Sequence, residues 1–301
     1  MIIVLKSILF FIAFSLSLPS FAAQSIPVYW PFSISSVQVV AVRSILDSIN
    51  NKQMDKNFLV VHKPGAGSAV AAMHVAATSN LELLAVSSSF FMRPAFFPDQ
   101  SHRYQDLRPV VMMSTDMPAL IMSKKYKTID EVRKQKRVTI GMINGSITQL
   151  MALNLQKNLP GVELVFVPYQ GTNQPTLHVL QGALDLNVGF VDDVDQHVKS
   201  DDLNILGISG KKSVRGYPTF SSLGLSGFEN ITVDYWIMAS AKLSDSETKK
   251  LHQLFSEHLQ AGQEFWKRDE AVVANLDFQE TNLRYKTQST YWKELLTQLP
   301  Q

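Results

Sequence analysis

Short β-rich runs alternate with amphipathic stretches from end to end, and this alternation restricts the fold more than any other feature of the sequence. Strands separated by helices form sheets covered on both faces, so the expected class is α/β with mainly parallel sheets. Strands are expected near Val28–Trp30, Phe58–His62, Leu83–Val86, Val138–Met142, Leu164–Val167, Leu186–Phe190 and Ile205–Ile208. Between the first two, Val37, Val40, Ile45 and Ile49 recur at helical spacing. A small-residue helix over Ala69–Thr78 follows a Gly-rich turn.

Two helix starts are legible from capping-box spacing: Thr128 with Glu131, and Ser244 with Glu247. The second is expected to open a long helix through His258. A C-terminal helix is expected over Thr290–Leu299, with Trp292, Leu295, Leu296 and Leu299 on its apolar face.

Residues 1–23 read as a signal peptide: Lys6 gives a positive start, Ile8–Leu18 an apolar stretch, and Ser20-Phe21-Ala22 a small-residue cleavage site. Ser15, Ser17 and Pro19 interrupt the stretch, which falls short of the roughly 20 apolar residues that a spanning helix needs. No later apolar run is long enough, so an exported, soluble periplasmic protein is expected. The chain has no cysteine, which excludes a lipidated cysteine, disulfides, thiolate metal sites and a cysteine nucleophile. The leader holds one Lys and no acid, so the formal +2 of the whole chain becomes +1 without it. A charge so near zero gives no basic face for nucleic acid or an anionic membrane.

The chemistry-bearing residues gather at strand ends. Pro64-Gly65-Ala66-Gly67-Ser68 follows a strand and opens a helix, as anion-binding turns do, but Val70 stands where a dinucleotide fingerprint has its third glycine. The alternative is a tight turn that needs glycine for its backbone. Ser87-Ser88-Ser89, Asn144-Gly145-Ser146 with Thr148, and Tyr169-Gln170-Gly171-Thr172 repeat the arrangement after three other strands. Ligands of open α/β sheets bind beyond the carboxyl ends of strands. Converging hydroxyls and amides there can hold a carboxylate with no Lys or Arg, although any one of them alone reads as a helix cap.

Enzyme chemistry has little to work with. The seven histidines are scattered, with no His-Glu-x-x-His pair, and there is no Gly-x-Ser-x-Gly elbow. Asp192 and Asp193 form an adjacent acid pair, one of which is expected to cap the following helix.

Taken in order, these loops resemble the tripartite tricarboxylate transporter receptors, the Bug-type extracytoplasmic solute receptors. The residues that carry the likeness are Pro31-Phe32, Arg43, the Pro64–Gly67 turn, Asn144-Gly145-Ser146, Val167-Pro168-Tyr169-x-Gly171, Leu180-x-Gly182-x-x-Asp185 and Tyr217-Pro218-Thr219. The resemblance implies a two-lobed periplasmic-binding-protein (Venus-flytrap) fold with a central cleft. Lobe 1 is expected over 24–124 plus 233–301 and lobe 2 over 125–232. It implies that Ser33, Ser35, Ser36, Ser87, Ser88, Ser89, Asn144, Gly145, Ser146, Thr148, Tyr169, Gly171, Thr172 and Asp192 contact a small carboxylate-bearing ligand. That ligand would pass to a two-component membrane permease, and the protein would act as a monomer without cofactor or metal. The alternatives are a receptor feeding a sensor and, from another class, a secreted enzyme using the same cleft.

The chain departs from the family at the first loop, where Ser35-Ser36 and then Val39 replace a Gly-Gly pair soon followed by Asp. Phe90 and Phe91 follow the serine run where small polar residues are commoner. They either make the cleft more apolar or belong to the core.

Overall fold

The computed structural model describes residues 23–297 apart from Ser35, Met54 and 98–103. The expected leader through Ala22, the candidate contact Ser35 and the expected helix residue Leu299 lie outside them. Among the described residues no helix is long and apolar enough to cross a membrane.

The chain runs β1 (Gln24–Trp30), α1 (Val37–Asn50), β2 (Lys56–His62), α2 (Ala69–Ala77), β3 (Leu83–Ser87), α3 (Ser89–Phe96), β4 (Leu107–Pro118) and β5 (Leu120–Ser123). It continues through α4 (Ile129–Arg133), β6 (Arg137–Ile143), α5 (Ile147–Asn158), β7 (Glu163–Tyr169), α6 (Asn173–Leu180), β8 (Leu186–Gly189), α7 (Val191–Lys199) and β9 (Asn204–Ile208). It closes with β10 (Thr232–Ser240), α8 (Asp245–Ser256), α9 (Gln263–Arg268), β11 (Val272–Val273) and α10 (Phe278–Thr297).

The strands form two sheets, ordered β11-β4-β10-β3-β1-β2 and β7-β6-β8-β5-β9. Each has a parallel group, β3-β1-β2 in one and β7-β6-β8 in the other, built from the strands that the alternation of elements predicts. Antiparallel strands complete both sheets: β10 pairs with β3 and β4, and β5 with β8 and β9. The alternation predicts no strand over 107–123 or 232–240. Pro109, Pro118 and a methionine pair break the strand signature of β4, because Pro cannot donate to a ladder and Met favours helix.

Two crossings join the sheets, at Ala119 and between β9 and β10, and they hold each other. Ser209 N–H donates to the Ala119 carbonyl at 2.8 Å, and Ala119 N–H donates to Ser209 Oγ at 2.9 Å. Leu120–Ser123, inside the stretch expected for the first lobe, pairs in the second sheet.

β1 alternates as a half-buried strand should, with Ile26, Val28 and Trp30 inward, whereas β3 is buried along its whole length as a central strand. Phe90 and Phe91 have no exposed surface and pack on Trp236 and Tyr285, so both rings belong to the core and not to a cleft. The C-terminal helix is longer than expected, starting at Phe278, and buries Trp292.

Both predicted caps exist. Thr128 Oγ1 accepts the Glu131 N–H, while Glu131 Oε2 accepts from Lys127 N rather than from the cap itself. Ser244 and Glu247 close a full capping box on α8. Ser244→Ala should lower unfolding free energy by about 1 kcal/mol, measured by urea denaturation.

Candidate functional site

The carboxyl ends of β1, β2 and β3 and those of β6, β7 and β8 meet between the two sheets. Ile147 N–H, opening α5, donates to Ser89 Oγ of α3 at 3.5 Å. A Cβ on Gly67 would lie 3.2 Å from the Asn144 carbonyl oxygen, and a Cβ on Gly145 would lie 3.1 Å from Arg93 Cδ. The Pro64–Ser68 turn, the serine run and the Asn144–Ser146 loop are thereby brought together. The turn does demand its glycines: φ is +132° at Gly65 and +58° at Gly67, and a Cβ on Gly65 would come within 2.8 Å of Val70.

Each predicted contact among the described residues has a definite place. The first loop is shaped from beneath, with Ser33 O accepting from Trp30 Nε1 at 3.0 Å and from Ser36 Oγ at 3.1 Å. Ser88 is fully buried and bonded to β10, its Oγ accepting the Asp234 N–H at 2.8 Å. Ser87 Oγ accepts the Ser89 N–H at 3.4 Å. Ser146 and Thr148 spend their hydroxyls inside their own loop: Ser146 Oγ donates to Ile143 O at 2.8 Å, and Thr148 Oγ1 accepts the Ile143 N–H at 2.7 Å. Gly145 N–H donates to Gln149 Oε1 at 2.6 Å. Tyr169 Oη pairs with His178 Nδ1 at 2.7 Å. Gly171 faces open space, and the Thr172 side chain bonds the Asp193 carboxylate.

Neither member of the acid pair caps α7. Phe190 is the N-cap, which puts Asp192 and Asp193 inside the first turn. The Asp192 carboxylate is held bidentately by Arg268, at 2.8 and 3.0 Å. The first turn of α7 is instead served from the other sheet by Asp269, whose Oδ1 accepts the Asp192 N–H at 2.8 Å and whose Oδ2 accepts from Gln38 of α1. Arg215 continues the same seam, bonding Asp195 at 2.8 Å and Glu270 at 2.7 Å. Sequence reading missed Asp269 because its partners lie far away in the chain.

Burial pushes the Asp269 carboxyl up to about 7 and the Asp193 carboxyl up to about 6. An unfolded Asp titrates near 4, so the folded chain binds more protons than the unfolded one between about pH 4 and 7, and stability falls as pH rises through that window. Asp269→Asn keeps the acceptor for Asp192 N–H and should flatten the decline. Urea midpoints at about pH 5 and about pH 8 check this, since each group contributes up to about 1.4 kcal/mol per pH unit. Equal wild-type midpoints would contradict it.

Sequence reading also missed Arg93. It lies on α3 with 5% of its surface exposed, its guanidinium carbon 3.9 Å from the Phe97 ring centre. Its Nη1 lies 3.6 Å from where a Cβ on Gly67 would sit and 3.3 Å from where one on Gly145 would sit. The guanidinium makes no hydrogen bond with any described residue, and its Nε is buried. Burial lowers its pKa. The signal was a lone charge in Ser-Phe-Phe-Met-Arg-Pro-Ala-Phe-Phe.

Among the described residues, no group of three or more His, Cys, Asp or Glu side chains could hold a metal ion. A groove of about 720 Å³ beside the crossings, walled by Pro118, Ser209, Thr232 and Gln288 among others, contains none of the predicted contacts.

Comparison with known proteins places this architecture. A family model described as the tripartite tricarboxylate transporter family receptor matches residues 42–300. A UPF0065 protein from the tcbD-tcbE intergenic region of Pseudomonas sp. (strain P51) is 25% identical over 229 residues, covering 70% of this chain and 67% of that protein. The periplasmic binding protein BugD superposes with a TM-score of 0.77 at 22% identity, over 91% of this chain and 97% of its own. MatC from Rhodopseudomonas palustris, with bound malate, superposes with a TM-score of 0.78 at 19% identity, over 91% of this chain and 99% of its own.

Proposed function

The chain belongs to the tripartite tricarboxylate transporter receptor family, and from that premise we propose that it is an exported receptor that captures a small carboxylate and delivers it to a two-component membrane permease. The observation that carries this reading is the meeting of strand-end loops from two sheets around one buried zone, with Ser89, Gly67 and Arg93 on one side and Ile147, Asn144 and Gly145 on the other. Strand ends of open α/β sheets are where such folds bind ligands. The malate in MatC supports carboxylates as the class to test first.

The two lobes follow the two sheets, and the linked crossings at Ala119 and Ser209 are the hinge on which they close. The ion pairs Asp192–Arg268 and Arg215–Glu270 run between elements of the two lobes and close with the cleft. Gly171 faces open space and is the predicted contact most free to meet a ligand, whereas the Thr172 hydroxyl is engaged by Asp193.

Small-angle scattering of the mature protein, with and without malate or adipate, tests the reading. A receptor that closes on its ligand becomes more compact in the presence of at least one acid. Identical profiles, with no binding heat in a calorimeter, would refute it. Osmotic-shock release of protein beginning at Ala23 or Gln24 tests export in the same preparation.

A further inference from the structure

A guanidinium nearly out of water that makes no hydrogen bond with any described residue is costly to keep, because a charge with reduced hydration needs an opposite charge and acceptors to offset what it has lost. Arg93 is in that position. Its surroundings are built to bring it to the junction of the sheets. Gly67 and Gly145, both at positive φ, flank it from the two sides; a side chain at Gly145 would press against it, and one at Gly67 would touch it. The Ala66–Ser68 turn packs on α3, and in that turn Ser68 is 1% exposed with an unpartnered Oγ. Phe97 lies against the guanidinium, its ring centre 3.9 Å from the guanidinium carbon, a cation–π contact that satisfies none of the N–H donors.

Resting on the solute-receptor reading above, we infer that Arg93 is the charged anchor of the cleft and binds a carboxylate of the solute through a two-point pair. The guanidinium fork presents parallel N–H donors at the spacing of the two carboxylate oxygens, which a Lys ammonium does not. The ligand therefore brings the missing acceptors, and the hydroxyls and amides of the other loops hold the rest of its body. Nothing in the strand-end pattern of hydroxyls required such a charge. It makes this cleft select for an anionic group at one fixed point.

Thermal melting of the mature chain in malate, adipate, inorganic phosphate and chloride at matched ionic strength tests this, because a ligand bound only by the folded state raises its melting temperature. Wild type should melt several degrees higher in at least one of the two acids than in chloride, with no comparable effect of phosphate. Arg93→Met should lose that rise and, in chloride, melt no lower than wild type, because the unpaired charge is gone. For the stabilising acid, calorimetry should show affinity weakened by about 30-fold or more in Arg93→Met. Arg93→Lys should recover part of it. Equal rises in wild type and Arg93→Met would overturn the role of Arg93 and leave carboxylate binding in place. A wild type indifferent to both acids would overturn the carboxylate reading itself, and a rise confined to phosphate would overturn the class of anion. Should Arg93→Met not fold, Arg93→Lys binding the acid as tightly as wild type overturns the two-point pair.

Discussion

Trp30→Ala is expected to cost about 4 kcal/mol of stability, within the range for emptying a buried indole site, and to abolish solute binding. Trp30 is 1% exposed and starts an aromatic column beneath the first loop, with ring centres 5.2 Å from Phe32 and 6.0 Å from Tyr235, which in turn stacks 5.2 Å from Trp266. Its Nε1 donates to Ser33 O, the same carbonyl that Ser36 reaches. Alanine therefore removes both the floor of the loop and the bond that sets its path. Trp30→Phe separates the two effects: it keeps most of the packing but loses the donor. It should stay folded, with a smaller loss of about 1 to 2 kcal/mol, and still bind more weakly because the loop has lost its tether. Urea denaturation with parallel calorimetry checks both, and unimpaired binding by Trp30→Phe would remove the first loop from the site.

The second large effect is expected at Asp234, near the start of β10. Its carboxylate has no exposed surface and accepts from Thr115 Oγ1 at 2.8 Å and Asp116 N at 3.2 Å, with Gln288 of α10 on its other oxygen. The Asp116 backbone sits at φ +62°, a left-handed conformation that this bond helps to hold. Asp234→Ala would leave several buried donors without an acceptor, and each such loss costs about 1 to 3 kcal/mol. A fall of about 3 kcal/mol or more is expected. Asp234→Asn should cost clearly less, since burial raises the carboxyl pKa and already favours an uncharged group there. Comparable losses for the two variants would mean that the charge, not the acceptor geometry, holds β10 to β4 and α10.

The parallel half of each sheet was legible because its strands carry short apolar runs separated by amphipathic helices. β10 was not, although it is central to its sheet. Its Asp234 and Met238 break the run, and its pairing with β3 and β4 joins segments more than a hundred residues apart. The strand-end loops were legible as a set, since small polar residues after a strand have few other uses. Their division of labour was not. Ser146 and Thr148 read equally well as ligand donors or as a cap, and only the bonds to Ile143 show where their hydroxyls go. Asp185, read as part of a family motif, has a structural role, since it accepts from Thr139 N and Oγ1 at 2.9 Å each and ties the start of β8 to β6. Arg93 escaped notice because an arginine beside two phenylalanines and a proline reads as a surface charge on a short helix. Gly67 and Gly145 approach it from distant parts of the chain, which no local pattern encodes.

The central claim is that this chain is a receptor for a small carboxylate, and the most direct test is mass spectrometry of small molecules released when mature protein, equilibrated with a mixed library of organic acids, amines and neutral sugars and then desalted, is denatured. Near-stoichiometric recovery of one or a few carboxylic acids is expected, and its loss in Arg93→Met. Recovery of a neutral or cationic solute in their place would contradict the claim.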